Sequence, residues 1–138
     1  MYVALRRDHP LSASPTLTLK DLGAESWVQT SANTPCARHV VRSCHAAGFE
    51  PRVAFESDDY FTVQGLVAAG VGVALIPELA LSSVRDDIAI RALSPRSPER
   101  LVIAATPTGV ARPPAADAML ALLRESAAAR PRRESQPI

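Results

Sequence analysis

Short apolar runs and amphipathic stretches alternate along most of the chain. Apolar runs of strand length lie at Tyr2–Arg6, Ser26–Gln29 and 53–55, and three more follow at 71–76, 88–93 and 101–106. The stretches between several of these runs have the i, i+3, i+4 apolar spacing of helices. This order predicts an α/β fold with a largely parallel sheet flanked by helices.

Helix starts and stops are marked by polar and glycine residues. Thr34 can cap a helix that begins at Pro35 and ends at Gly48, and either Ser57 or Asp58 can cap the next one. A short helix is predicted from Pro77 and a last one over residues 114–127. The tail 128–138 has no apolar periodicity, so we expect it to be disordered.

Composition narrows the class of protein. The chain has 138 residues, of which 47% are hydrophobic, and this predicts one ordinary core. A formal net charge of +1 gives no strong field for nucleic acid or an anionic membrane. With neither an 18-residue apolar run nor a secretory signal, a cytoplasmic location is expected. Cys36 and Cys44 lie about 12 Å apart along one helix, which predicts two free thiols.

Glycines in the stretch from Gly65 to Gly72 have spacings that resemble phosphate-binding loops. A dinucleotide site requires a strand, then the glycines, then a helix, and here the helix comes first. A phosphate loop also needs a lysine after its last glycine, where this chain has Val71. We therefore expect structural roles: Gly70 stops a helix, Gly72 allows a tight turn into a strand, and Gly65 allows close packing.

The stretch FESDDYFTVQGLVAAGVGVALIPELAL resembles the C-terminal effector domain of LysR-type transcriptional regulators. Three more segments match in the family's order: VALRRDHPL at 3–11, LKDLGAESWV at 19–28 and HAAGFEPRVAFES at 45–57. The resemblance covers about residues 2–124. It implies a domain similar to type 2 periplasmic binding proteins, in which a cleft between two α/β lobes holds a small-molecule effector.

The resemblance leaves part of the family's architecture without a counterpart. Neither the winged helix-turn-helix that binds DNA nor most of the first lobe is matched. It implies that residues 1–106 are lobe two and that 107–127 form the helix returning to the absent lobe one. We expect DNA binding only through the missing N-terminal domain, and the reading frame upstream of Met1 tests that expectation.

The resemblance also implies where an effector would bind. The family's contacts fall in the loop that matches Thr30, Ser31, Asn33 and Thr34, and near the helix start that matches Ser57 and Asp58. Both places follow the carboxyl ends of predicted parallel strands, where ligands gather. Helix capping is the alternative role for Thr34, Ser57 and Asp58.

Charge near this site bears on the effector. If Asp58 and Asp59 face the cleft they would repel a carboxylate, which favours a neutral or amine-bearing effector; otherwise they are solvated and suit the helix dipole. Arg6 and Arg7 could pair with a carboxylate, although arginines beside a strand are more often solvated surface.

The sequence gives little support for a metal site. Cys36, His39, Cys44 and His45 are metal-ligand types, but on one helix they cannot converge on an ion without a second element. We expect no metal and no cofactor.

The preferred function is a non-catalytic, ligand-sensing fragment of a LysR-type regulator that forms a homo-oligomer, through residues 40–47 or the Val63 face.

Two alternatives to this function stay open. A solute-binding lobe of a transport receptor should carry an export signal, and a small hydrolase using Cys36 or Ser57 should show a base and an acid near its nucleophile.

Trp27 and Phe55 lie in apolar strand segments, so we expect both side chains in the core.

Overall fold

The computed structural model describes residues 1–109 and 111–129, in two compact units, Met1–Arg100 and a second that begins at Leu101. Short 3-10 turns lie at Pro10–Ala13, Leu19–Leu22 and Glu78–Ala80. None of the described helices is long and apolar enough to cross a membrane. The strands are β1 (Tyr2–Arg6), β2 (Ser26–Gln29), β3 (Arg52–Glu56), β4 (Ala74–Ile76) and β5 (Ile88–Arg91), and the helices are α1 (Pro35–Ala46), α2 (Tyr60–Ala68) and α3 (Pro114–Ala128).

The sheet is mixed, so the expectation of a largely parallel sheet is wrong in that respect. Strands β2 and β3 pair in parallel, whereas β1 lies between β4 and β5 and is antiparallel to both. A parallel bridge between Trp27 and Val73 connects the two groups in the order β3-β2-β4-β1-β5. Of the described strands, β1 alone is reversed, and two 3-10 turns lie in its connection to β2.

The first unit has a core on each face of this sheet because side chains alternate along the strands. Val3, Leu5 and Trp27 face the α1 side and pack in one cluster with Val40 and Cys44 of that helix. The neighbouring strand residues form a second cluster with Val63 and Val67 of α2, and its strand members are Ala4, Val28, Ala74, Ile76 and Ile88. The unit is therefore an α/β sandwich with one helix on each side of the sheet.

The starts of α1 and α2 follow from local capping. Thr34 caps α1 as expected: its side chain accepts a hydrogen bond from the Ala37 amide at 3.1 Å, and Pro35 is the first helical residue. For α2 the predicted caps Ser57 and Asp58 are wrong, because Asp59 is the cap and accepts from the Thr62 amide at 2.7 Å. A cap must lie directly before the first helical residue, and that residue is Tyr60.

Strand β3 forms the outer edge of the sheet, and all five of its residues are exposed. Phe55, expected in the core, is 50% exposed, whereas Trp27 is fully buried against Phe49, with ring centroids 6.0 Å apart. Both lie in apolar strands, but Trp27 belongs to an inner strand that is covered by α1. The edge position of β3 therefore decides the exposure of Phe55.

Residues 101–106, predicted as a strand, form none within the described structure. Leu101, Val102 and Ile103 are 83%, 70% and 80% exposed, because an apolar run becomes a strand only when it finds an edge to pair with. Helix α3 forms as expected and ends one residue later, at Ala128. Its Met119, Leu122 and Leu123 are more than half exposed. The rest of the predicted disordered tail, from residue 130, lies outside the described residues.

Glycine roles are partly as expected. Gly48 and Gly70 have positive φ angles of 91° and 79° after α1 and α2, so both stop their helices in the left-handed region. Gly65 has open space where a side chain would begin, so the expectation of close packing there is wrong. At Gly72 a Cβ would lie 2.7 Å from the carbonyl carbon of Ser26. Only glycine fits where β2 and the start of β4 approach each other.

We predict opposite effects for alanine at two of these glycines. Gly72→Ala should lower the free energy of unfolding by about 2 to 3 kcal/mol, because backbone atoms of β2 would have to move. Gly65→Ala should raise it by about 1 kcal/mol, since alanine is the better residue inside a helix. Urea denaturation followed by circular dichroism measures both, and equal stability of the two variants would contradict the packing at Gly72.

Candidate functional site

A pocket of about 550 Å³ opens where β2 ends and where α1 and α2 begin. This is the carboxyl end of two parallel strands, the region in which α/β sheets place ligands. Five of the six residues predicted as effector contacts line it. The lining residues are Thr30, Ser31, Asn33, Thr34, Pro35, Cys36, Asp58, Tyr60 and Arg100.

The loop between β2 and α1 forms one wall. The hydroxyls of Thr30 and Thr34 are 2.9 Å apart, and Thr34 also caps α1. The Thr34 amide donates to the Ser31 carbonyl at 2.9 Å, which closes the loop into a turn. Both roles proposed for Thr34, cap and pocket wall, are therefore compatible. Helix α1 also directs the partial positive charge of its start toward this wall.

Two acidic side chains attach this loop to the neighbouring strand and its connection to α2. Asp58 Oδ1 accepts a hydrogen bond from the Ser31 amide at 3.3 Å, and Glu56 Oε2 accepts from the Ala32 amide at 3.1 Å. Asp58 has no other hydrogen bond or ion pair with the residues that the structure describes. Its second carboxylate oxygen is therefore available at the pocket.

The inner end of the pocket is formed by Cys36 and Tyr60, whose sulfur and hydroxyl oxygen are 2.8 Å apart. Burial, helped by the contact with Cys36, raises the pKa of Tyr60 well above its usual value, so Tyr60 is a neutral phenol at physiological pH. Both cysteines are free thiols, as expected. Burial raises the pKa of the Cys44 thiol to about 12, so this thiol does not ionise at neutral pH.

Four lining residues were not predicted as effector contacts: Pro35, Cys36 and Tyr60 lie near predicted ones in the sequence. The fourth, Arg100, is far from them in the sequence. It lies near enough for its positive charge to oppose protonation of His39, whose pKa is lowered mainly by burial and then by Arg42. Its place in the pocket depends on the path of the chain after β5, and neither periodicity nor a cap marks that path. No local signal in the sequence could have identified it.

Other expected site residues lie elsewhere. Ser57 does not line the pocket; its hydroxyl accepts from the Asp59 amide at 3.4 Å in the turn before α2. Arg6 lines a second pocket, of about 240 Å³, together with His9 and Glu25, and Arg7 lines neither pocket. Arg6 is the last residue of β1 and Arg7 follows it, and because β1 is the reversed strand its carboxyl end lies away from those of β2 and β3.

The metal-ligand residue types of α1 do not assemble. Among residues 1–109 and 111–129, no three His, Cys, Asp or Glu side chains are placed to share an ion. Cys44 is in the core, and His45 contacts Glu50 on the surface. His39 Nε2 is buried and has no hydrogen-bond partner in the described part of the chain.

A mixed α/β sandwich with a ligand-sized pocket at the carboxyl ends of its strands is the arrangement of small-molecule binding domains. The chain belongs to the LysR substrate-binding domain family, whose family model matches residues 1–128. It is 35% identical over 78 residues to the transcriptional dual regulator GltC of Bacillus subtilis, and 37% identical over 90 residues to the HTH-type transcriptional regulator CatR of Pseudomonas putida. These matches cover 56% and 64% of this chain, but only 26% and 31% of the two regulators.

Solved structures show the same fold. The regulatory domain of CcmR from Synechocystis PCC6803, in complex with 2-PG, superposes with a TM-score of 0.74 at 18% identity, over 91% of this chain and 61% of that one. The effector binding domain of BenM with its effector benzoate superposes with a TM-score of 0.57 at 26% identity, over 67% of this chain and 44% of that one. The chain is thus an effector-binding domain of the LysR type and spans part of the length of these proteins.

Asp59 and Asp58 provide a test of which carboxylate caps α2. We predict that Asp59→Ala lowers the urea midpoint and that Asp58→Ala leaves it nearly unchanged. Hydrogen bonds from the backbone and side chain of Thr62 hold the pKa of Asp59 below its ordinary 3.8. A carboxyl whose pKa is depressed by folding stabilises the protein above its unfolded pKa and loses that contribution at lower pH.

The difference between wild type and Asp59→Ala should therefore be full at pH 7 and shrink as the pH falls through the lowered pKa, below about 3.8. Urea titrations at several pH values measure it. A gap that stays constant down to pH 2, or a larger loss for Asp58→Ala, would show that the cap is assigned wrongly.

Proposed function

We propose that this chain is the ligand-sensing lobe two of a LysR-type regulator, that it is not an enzyme, and that it acts in the cytoplasm. The observation that supports it most is the pocket formed by the Thr30–Thr34 loop and the start of α2, where five of the predicted effector contacts come together. In the intact regulator, an effector would shift the balance between arrangements of lobes and subunits. DNA would be bound by a separate helix-turn-helix domain.

The chemistry of the pocket supports binding rather than catalysis. Cys36 is its only thiol, and the group nearest to that sulfur is the hydroxyl of Tyr60. A phenol with a raised pKa is a poor general base near pH 7, because it holds its proton. His39, the nearest histidine in sequence, does not line the pocket. Neither Tyr60 nor a histidine of this pocket can therefore activate Cys36 as a hydrolase nucleophile, and Ser57 does not line the pocket.

The effector contacts are proposed residue by residue. Thr30, Ser31, Asn33 and Thr34 would bind the effector from the loop, and Asp58 from the start of α2. Ser57, which is turned into the loop before α2, would shape that loop instead. The effector binding domain of BenM holds its effector benzoate and the regulatory domain of CcmR holds 2-PG, which supports small-molecule binding by a domain of this fold.

Asn33 is the best position to test the site, because it is exposed and its side chain has no hydrogen bond with the described residues. A mixture of small metabolites, titrated into the ¹⁵N-labelled chain, should shift amide resonances of residues 30–36, 58, 60 and 100. Asn33→Ala should weaken that binding about fivefold or more, with no change in stability, because only a ligand contact is lost.

Ser82→Ala is the control, since Ser82 is an exposed residue that does not line the pocket. It should leave the titration unchanged. Resonance shifts that fall outside the pocket, or that Asn33→Ala and Ser82→Ala affect equally, would refute this site.

We also propose that the effector domain forms a homo-oligomer through the edge of its sheet. The surfaces expected at an interface are partly covered inside the first unit: Val40, Cys44 and Val63 are 3%, 0% and 1% exposed, whereas Arg42, His45 and Ala46 of the stretch 40–47 are exposed. Strand β3 instead presents an unpaired edge with Phe55 half exposed, and Phe61 of α2 is 59% exposed. An uncovered apolar strand edge is a surface that favours pairing with another chain.

Phe55→Glu should therefore weaken self-association about tenfold or more in sedimentation experiments, because a charge would be buried in the apolar contact. Leu79→Glu is the matched control: Leu79 is 53% exposed, in the 3-10 turn after β4. Equal effects of both substitutions, or none from Phe55→Glu in a chain that self-associates, would place the interface elsewhere.

A further inference from the structure

We propose that the pocket is built for a small zwitterion, a molecule that carries both an amine and an acid group, with Asp58 facing the amine and Arg100 facing the acid. This inference rests on the proposed effector site and specifies the chemistry of its ligand. It depends on two opposite charges that line one pocket, of which only Asp58 could be identified from the sequence.

Asp58 forms the acidic side of the pocket. It is exposed, it accepts one hydrogen bond, from the Ser31 amide, and no arginine, lysine or histidine of the described chain lies within ion-pair distance. A protonated amine would supply both a charge and hydrogen-bond donors to the remaining carboxylate oxygen. The Asp59 carboxylate, by contrast, accepts hydrogen bonds from the amide and the hydroxyl of Thr62 and does not line the pocket. The charge that faces the ligand is therefore one carboxylate.

Arg100 and the start of α1 form the basic side. Arg100 is exposed and makes no ion pair with a described carboxylate, so its guanidinium is available for bidentate contact with an acid group. Pro35 and Cys36 line the same pocket at the N-terminal end of the 12-residue α1, which carries partial positive charge. One hydroxyl of the Thr30–Thr34 pair donates to the other, so the second hydroxyl proton is left to donate to an oxyanion.

Ligands with one charge or none match this pocket less well. A simple carboxylate would be attracted by Arg100 and repelled by Asp58. A simple amine would be attracted by Asp58 and repelled by Arg100. A neutral ligand would cover two charges without pairing either, which costs free energy because the charges lose contact with water. A pocket of about 550 Å³ suits a small metabolite. Only a molecule with both charges satisfies both sides of the site.

Titration of matched compounds tests this. The probes are amino acids with increasing separation of the two charges, from glycine through 4-aminobutyrate to 6-aminohexanoate. Each is compared with the carboxylate and the amine of the same carbon chain, by calorimetry and by the amide shifts of residues 30–36 and 58. We expect at least one amino acid to bind about tenfold or more tightly than both of its singly charged counterparts, since each lost charge pair weakens binding.

Two charge-removing variants assign the roles. Asp58→Asn keeps an oxygen that can accept from the Ser31 amide, so it should weaken the amino acid and strengthen the carboxylate. Arg100→Gln should weaken both. Asp86→Asn and Arg96→Gln are the matched controls, because both residues are exposed and neither lines the pocket. These controls should bind as the wild type does.

The outcomes separate the two proposals. Suppose that each amino acid shifts the pocket resonances no more strongly than the carboxylate or the amine of the same carbon chain. The zwitterion inference is then overturned, and the site remains an effector site. If no probe of any class shifts these resonances, the inference is also overturned. The metabolite titration of the wild type and Asn33→Ala then tests the proposed function separately.

Discussion

The contact between Val73 and strand β2 is the constraint on which the first unit depends. The Val28 amide donates to the Val73 carbonyl and the Val73 amide to the Ser26 carbonyl, both at 2.8 Å. These bonds join the parallel pair β2-β3 to the antiparallel group around β1. They can form only because Gly72 lets the two backbones come this close. Without them, the two groups of strands would share no backbone hydrogen bonds among the described residues.

The pairing of β2 with β3 positions the pocket. Their parallel register puts the carboxyl ends of the two strands side by side, and the chain leaves each of them into the start of a helix on a different face. Two helix starts, one loop and the residue Arg100 then surround a single space. The side chains that line it come from sequence positions 30 to 100, but strand register brings them together. The composition of the pocket wall is thus a product of how the sheet is assembled.

Local signals in the sequence were enough to predict most elements and part of the site. The bounds of β1 and β2, the cap at Thr34 and the stops at Gly48 and Gly70 depend on neighbouring residues alone, and the structure has each of them. Properties that depend on distant partners could not be predicted in this way. The reversed direction of β1, the edge position of β3 that exposes Phe55, and the arrival of Arg100 at the pocket are all of this kind.

The two adjacent aspartates have different structural roles. Asp59 holds α2 in place, whereas Asp58 has one long hydrogen bond to the loop and otherwise faces the pocket. In the proposed site, stability and recognition would therefore be carried by separate residues that are one peptide bond apart. A substitution at position 58 would then change the charge of the pocket and leave the cap of α2 at position 59 in place.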